Sequence, residues 1–137
     1  MAGAGSGEEP APVGMPIFTI VDGVLTAVEL NGATEVTIPD GVTEIGADVF
    51  CRETNLVSVV IPEGVTGIGE GAFYYCPNLV SVSLPGTLKR IEDRAFGWCF
   101  SLDPVSLPTG LEVLGGYAFD CSGLTTSWDW LPKRPSD

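Results

Sequence analysis

The sequence predicts a β-rich (α/β) solenoid, a short stack of small units none of which could fold alone. Three observations predict it. "GAFYYCPNL" (71–79) is answered by "RAFGWCFSL" (94–102) and by "YAFDCSGL" (117–124), so Ala-Phe, Cys and Leu return at a 23-residue interval. A motif that recurs at a fixed period is usually a unit of architecture rather than of catalysis. Within one unit, "LVSVSLP" (79–85) alternates apolar and small polar residues, as a half-buried strand does. Finally, 18 Gly and 11 Pro in 137 residues favour short segments and turns over long helices.

The elements follow in chain order. Residues 1–16 are rich in Gly, Ala, Glu and Pro and are expected to form a flexible arm. "IFTIVDGVLTAVEL" then places Asp22-Gly23 between two apolar runs, a strong hairpin signal. Residues 17–33 are therefore expected to be an N-terminal β-hairpin cap, the start of a repeat domain spanning 17–132. Four repeats are expected over residues 34–124. Pro39, Pro62, Pro85 and Pro108 keep the 23-residue interval, and so do Phe50, Phe73, Phe96 and Phe119. Ile38, Ile61, Leu84 and Leu107 precede the prolines, and Ile45, Ile68, Ile91 and Leu114 follow them. After Leu124 the rhythm breaks, and "SWDWLP" sets Trp128 and Trp130 on one strand face. Residues 125–132 are expected to close the stack, leaving 133–137 as a tail.

One unit reads as strand, Pro-Gly turn, a second extended piece "TLKRIE" with Leu88 and Ile91 inward, and "DRAFGWCFS". The last segment is too short for a standard helix and predicts one turn of helix or 3₁₀. Such a unit cannot bury its own apolar side chains. Neighbours stacked at about 4.8 Å, the spacing of adjacent strands, can bury all of them. The Phe column then becomes a packing ladder, which explains the recurrence.

The pattern Leu-x-x-Val-x-Ile-Pro-x-Gly-Val-Thr-x-Ile-Gly-x-x-Ala-Phe-x-x-Cys-x-x-Leu at 56–79 resembles the BspA-like leucine-rich repeat family. The likeness extends over about residues 18–131, since Pro, Ala-Phe, Cys and Leu recur together. It implies a curved, right-handed solenoid with the Leu-x-x-Val-x-Ile-Pro strands in a parallel sheet on the concave face. It also implies a domain that binds other proteins, often on microbial surfaces, without catalysis. The sequence departs from the pattern at Asp103-Pro104, at the residue missing before Leu124, and at Glu53, which stands where the Cys column would begin. Pro104 should interrupt a ladder bond or mark a bulge.

Charge and composition exclude several functions. A net charge of −12 is repelled by phosphate backbones and anionic lipid surfaces, so neither nucleic acid nor membrane insertion is expected. There is no His, which removes His-based triads and the commonest zinc ligand. No stretch approaches the roughly 20 apolar residues of a membrane span, and the start lacks a signal-peptide pattern. The compartment and the oligomeric state are left open. Cys76, Cys99 and Cys121 form a column with Cys51 two positions off it; they read as buried free thiols, with a disulfide or a metal as the alternatives. Pairs such as Glu92-Asp93 lack both a calcium-loop pattern and a convergent acid/base partner. "GIGEGAF" reads as turns, not as a phosphate cradle. No catalytic residue, cofactor or metal is expected.

Two surfaces remain. The sheet face between inward residues is made of short side chains, including Ser58, Ser81 and Ser83, and offers no anchor. The loop after each Phe carries Tyr74, Tyr75, Trp98 and Phe100, with Arg90 and Arg94 in the same repeat. Those rings either seal the edge of the core or form an amphipathic patch for a partner. The expected function is a non-catalytic module that binds another protein, as a binding domain or a small subunit of a larger assembly. The alternative is a fragment of a microbial cell-surface or secreted adhesion protein.

Overall fold

The computed structural model describes residues 14–103 and 105–119. The chain opens with the antiparallel pair β1 (Ile17–Val21) and β2 (Val24–Glu29), joined at Asp22-Gly23. Both turn residues have positive φ, 52° and 82°, as a two-residue hairpin whose twist matches its strands requires. Beyond it run β3 (Glu35–Thr37), β4 (Glu44–Ile45), β5 (Ser58–Val60), β6 (Gly67–Ile68), β7 (Ser81–Ser83), β8 (Arg90–Ile91) and β9 (Val113–Leu114). They form two parallel ladders. The larger sheet has the order β1-β2-β4-β6-β8-β9 and the smaller the order β3-β5-β7. From β3 and β4 onward partners lie 23 residues apart along both ladders, as in Val59↔Val82 and Ile68↔Ile91, while β2 joins β4 at an offset of 20, as in Leu25↔Ile45. The architecture is a β-solenoid of about four turns.

A third side of each turn holds the stack together without being a strand. Phe50, Phe73 and Phe96 donate their N–H groups to Ala72, Ala95 and Ala118 of the next turn, each at 2.7 Å. Asp48, Gly71 and Arg94 bond likewise to Glu70, Asp93 and Gly116, and Arg52 and Tyr75 to Tyr74 and Gly97. We call this segment the arc. Here the structure corrects the expected turn of helix: among the described residues there is no helix. The reason lies in the backbone. Asp48, Gly71, Arg94 and Tyr117 share one column and Arg52, Tyr75 and Trp98 another, and all have φ between 57° and 65°. A left-handed residue reverses the local path every few positions. Alternate N–H groups then go to the next turn, as at Gly71, Phe73 and Tyr75, while Ala72 and Tyr74 between them bond three residues back, to Gly69 and Gly71, so that no run of helical bonds builds up.

The core is the predicted set of columns. Phe50, Phe73 and Phe96 are fully buried, and Phe119 nearly so. Their rings stack with centroids 4.8, 5.0 and 5.3 Å apart and planes within 5°. That spacing is the ladder repeat, and it falls within the favourable range of about 4.5–7 Å for aromatic pairs. Ala72, Ala95 and Ala118 have no exposure, because the neighbouring turn's Phe N–H approaches their carbonyls. Leu88 and Ile91 point inward as expected.

Glycines appear where the stack leaves no room. A Cβ on Gly69 would meet Ala47 N and Gly46 C at 2.8 Å, both backbone. Gly67 leaves the space through which Arg90 reaches past one turn to Glu44. Residues 1–13 of the expected arm over 1–16, with Leu124, Cys121, Trp128, Trp130, the closing segment 125–132 and the tail, lie outside the described residues, as does Pro104. Among the described residues the smaller sheet ends at β7.

Candidate functional site

The expected aromatic residues are brought together on the arc. The Tyr75 and Trp98 ring centroids lie 6.2 Å apart, Trp98 and Phe100 5.6 Å, and Tyr75 and Phe100 6.4 Å. All three pairs are tilted or edge-on. They form a ring group that is not swallowed by the core: Trp98 keeps 40% of its surface exposed and Phe100 49%. Cys76 and Cys99, one residue beyond Tyr75 and Trp98, point inward, and this sends the two rings outward.

Tyr74 sits beside the group with its ring lying against Gly97. A Cβ there would stand 3.1 Å from the ring, so Gly97 makes the seat for Tyr74. Tyr74 also joins two surface depressions. One, of about 200 Å³, is lined by Arg52, Tyr74, Tyr75 and Trp98. The other, of about 490 Å³, is lined by Ala47, Asp48, Glu70, Gly71, Tyr74 and Arg94.

The two candidate arginines separate. Arg94 belongs to the arc and lies over the Tyr117 ring, 5.7 Å from its centroid. Arg90 does not join the aromatic edge. It belongs to β8, where its guanidinium pairs with Glu44 and, at 3.2 Å, with Glu92. Sequence reasoning missed Arg52, which lies 5.7 Å from the Tyr75 centroid, and Tyr117, the most exposed large ring among the described residues at 64%. The signal for Arg52 was present: it stands 23 residues before Tyr75 and continues the same column.

The left-handed backbone gives these positions meaning. A residue with a Cβ in that conformation costs about 1–2 kcal/mol relative to its ordinary conformations, and Gly escapes the cost. Yet of the seven described positions in the two columns only Gly71 is Gly, and the rest include Arg52, Tyr75, Arg94, Trp98 and Tyr117. Bulky side chains are held where a small one would fold more easily. Strained positions of this kind cluster at functional sites.

The remaining candidates serve the core. The Cys76 and Cys99 thiols donate to the carbonyls of Phe50 and Phe73, each at 3.1 Å. The neighbouring Cys99 thiol and burial push Cys76 well above the ordinary thiol range. Cys51, half-buried, is also a free thiol. Glu53 occupies the first position of the Cys column, and burial raises its carboxyl above the ordinary value. Among the described residues, no group of three or more His, Cys, Asp or Glu is placed to hold a metal ion, and no helix is long and apolar enough to cross a membrane.

Comparison with known proteins adds the following. The model of the BspA-type leucine-rich repeat region matches residues 29–128, with six copies. A leucine-rich repeat protein from Bacteroides capillosus is 33% identical with a TM-score of 0.70, and the likeness covers 85% of this chain and 94% of that one. One from Bacteroides ovatus is 26% identical with a TM-score of 0.68, covering 84% of this chain and 33% of that one. The pneumococcal vaccine antigen PcpA is 28% identical with a TM-score of 0.61, covering 72% of this chain and 26% of that one. The chain thus spans about a third of the B. ovatus protein and a quarter of the pneumococcal antigen. No curated protein sequence matches it. The repeat pattern, the stacked turns and the family match agree: the chain belongs to the BspA-type leucine-rich repeat family.

Proposed function

We propose that the chain is a non-catalytic protein-interaction module whose partner docks on the aromatic edge of the arc, around Tyr75, Trp98 and Phe100, with Tyr74, Arg52 and Arg94 at its margin. The observation that carries this reading is the exposed Tyr75–Trp98–Phe100 group, two members of which sit on strained left-handed backbone. Folding does not favour Trp or Tyr there, so the side chains are kept for another purpose. Trp, Tyr and Arg are also the residue types that carry interface energy. Arg90, held by Glu44 and Glu92, belongs to the stability of the stack in this reading. The solenoid is right-handed, with the Ser-rich smaller sheet on its concave side and the 17–33 hairpin as its cap. That sheet exposes Ser81 and Ser83 and lacks anchors.

A second reading gives the same module a place in a larger microbial surface protein. It is favoured by the likeness to the pneumococcal antigen, of which this chain spans about a quarter.

The test compares two variants for binding to the protein captured from the native source. Trp98→Asn removes the ring and suits the left-handed backbone, which Asn tolerates. It should weaken binding by about 2 kcal/mol, the scale of an interface hot spot, with the thermal midpoint little changed. Ser81→Arg alters the exposed sheet face and should leave binding intact. Loss of binding in Ser81→Arg with retention in Trp98→Asn would move the site to the sheet and overturn the proposal.

A further inference from the structure

We propose that the segment docking on the aromatic edge is a linear stretch of another protein in which a Lys or Arg lies close to an apolar residue. The basic side chain seats in the depression between Asp48 and Glu70, and the apolar one covers Tyr75 and Trp98. The inference rests on the aromatic-edge reading and specifies the chemistry of the partner.

Position comes first. The depression that holds Asp48 and Glu70 shares Tyr74 with the depression that holds Tyr75 and Trp98. One extended segment can therefore enter both, since neighbouring side chains along it are a few ångströms apart. A cation entering beside Tyr74 also meets an aromatic ring, which attracts it.

Charge comes second. Among the described residues the ion pairs belong to Arg90, and neither Asp48 nor Glu70 has one. Arg94, the cation that lines the same depression, lies over the Tyr117 ring and is paired with neither carboxylate. Arg52, at the aromatic end, lies over Tyr75. The two arginines are thus occupied by rings of this chain, while the two carboxylates face the open depression. Around them the protein carries a net charge of −12, a field that draws cationic segments and repels anionic ones.

The test is selection of a random-peptide phage library on the immobilised full chain. The enriched peptides are then measured against the parent, Trp98→Asn, and a double variant Asp48→Asn with Glu70→Gln. Asn is tolerated at the left-handed position 48, and Glu70 is exposed, so the double variant should keep the parent's thermal midpoint. The expected peptides carry Lys or Arg near a large apolar residue. They lose about thirtyfold in affinity on Trp98→Asn. Each neutralised carboxylate costs a further two- to fivefold or so, with binding weakened by salt. Peptides without basic residues, or peptides lost on Trp98→Asn but indifferent to the double variant, would overturn this inference and leave the aromatic-edge reading standing. Peptides indifferent to Trp98→Asn would overturn both. Failure to enrich any peptide would overturn the claim that the partner is a linear segment.

Discussion

Phe73→Ala tests the stack where it is most tightly built. Phe73 is fully buried, with Phe50 on one side at 4.8 Å and Phe96 on the other at 5.0 Å, nearly parallel to both. Truncating a buried Phe costs about 3–5 kcal/mol, from lost transfer energy and the cavity left behind. Phe73 also loses two ring pairs, each with about 0.5–1.5 kcal/mol of its own, so the upper half of that range is expected. A domain of this size has about 5–15 kcal/mol in all. The variant should therefore lie near the edge of folding, and Phe73→Leu, which keeps much of the volume, serves as the milder partner with a loss of about 1–2 kcal/mol. Urea denaturation of parent and variants gives the midpoints and slopes. The midpoints should fall in the order parent, Leu, Ala with the slope unchanged, since the slope reports the area exposed on unfolding. A loss under about 1 kcal/mol for Phe73→Ala would refute the ladder as the source of stability.

Five further outcomes follow from the same geometry. Gly69→Ala should cost about 1–3 kcal/mol, because the new Cβ meets backbone atoms at 2.8 Å. Gly86→Ala, whose nearest neighbour is the Glu63 carboxylate at 3.9 Å, should be neutral or stabilising in the same urea assay. Thiol labelling of the native chain, read by peptide mass spectrometry, should modify half-buried Cys51 before buried Cys76 and Cys99; equal rates would contradict the burial. Glu53→Gln should raise the thermal midpoint at neutral pH. Burial lifts the folded pKa of Glu53 above its unfolded value, so the ionised carboxylate opposes folding above that pKa, and the penalty disappears as pH falls through it. The midpoint gap should close on acidification, and a gap that widens would contradict the assignment. Arg90→Met should change stability by less than about 1 kcal/mol despite two ion pairs, because all three side chains are more than a third exposed; a larger loss in thermal melts would show a buried role.

The fold was legible wherever burial left one choice of residue. Phe50, Phe73 and Phe96 announce the ladder because each position faces the same neighbours one turn away. Leu88 and Ile91 announce an inward face because "TLKRIE" is too short to bury anything else. The arc was misread for a local reason. "DRAFGW" looks like a turn of helix, but Arg94 and Trp98 adopt φ of 57° and 58°, which their side chains do not advertise. The hint was indirect: Gly71 shares a column with Arg94, and a Gly in a column often marks a left-handed position. The aromatic group could be found in the sequence because Tyr75, Trp98 and Phe100 lie on adjacent turns. Arg90 could not be placed correctly by proximity to Arg94. Only Glu92 and Asp93 separate β8 from the arc in sequence, and only the column Glu44, Gly67, Arg90, with its gap at Gly67, shows where the guanidinium goes.

The central claim is that the arc, and not the sheet, meets the partner. Site-specific photo-crosslinking tests it most directly. A benzophenone amino acid is placed at Tyr75, Trp98 or Phe100 on the arc, and at Ser58 or Ser81 on the smaller sheet, and each chain is irradiated in an extract of its native source. The account predicts one common adduct from the three arc positions and none from Ser58 or Ser81. An adduct formed from Ser58 and Ser81 but from none of the arc positions would contradict it.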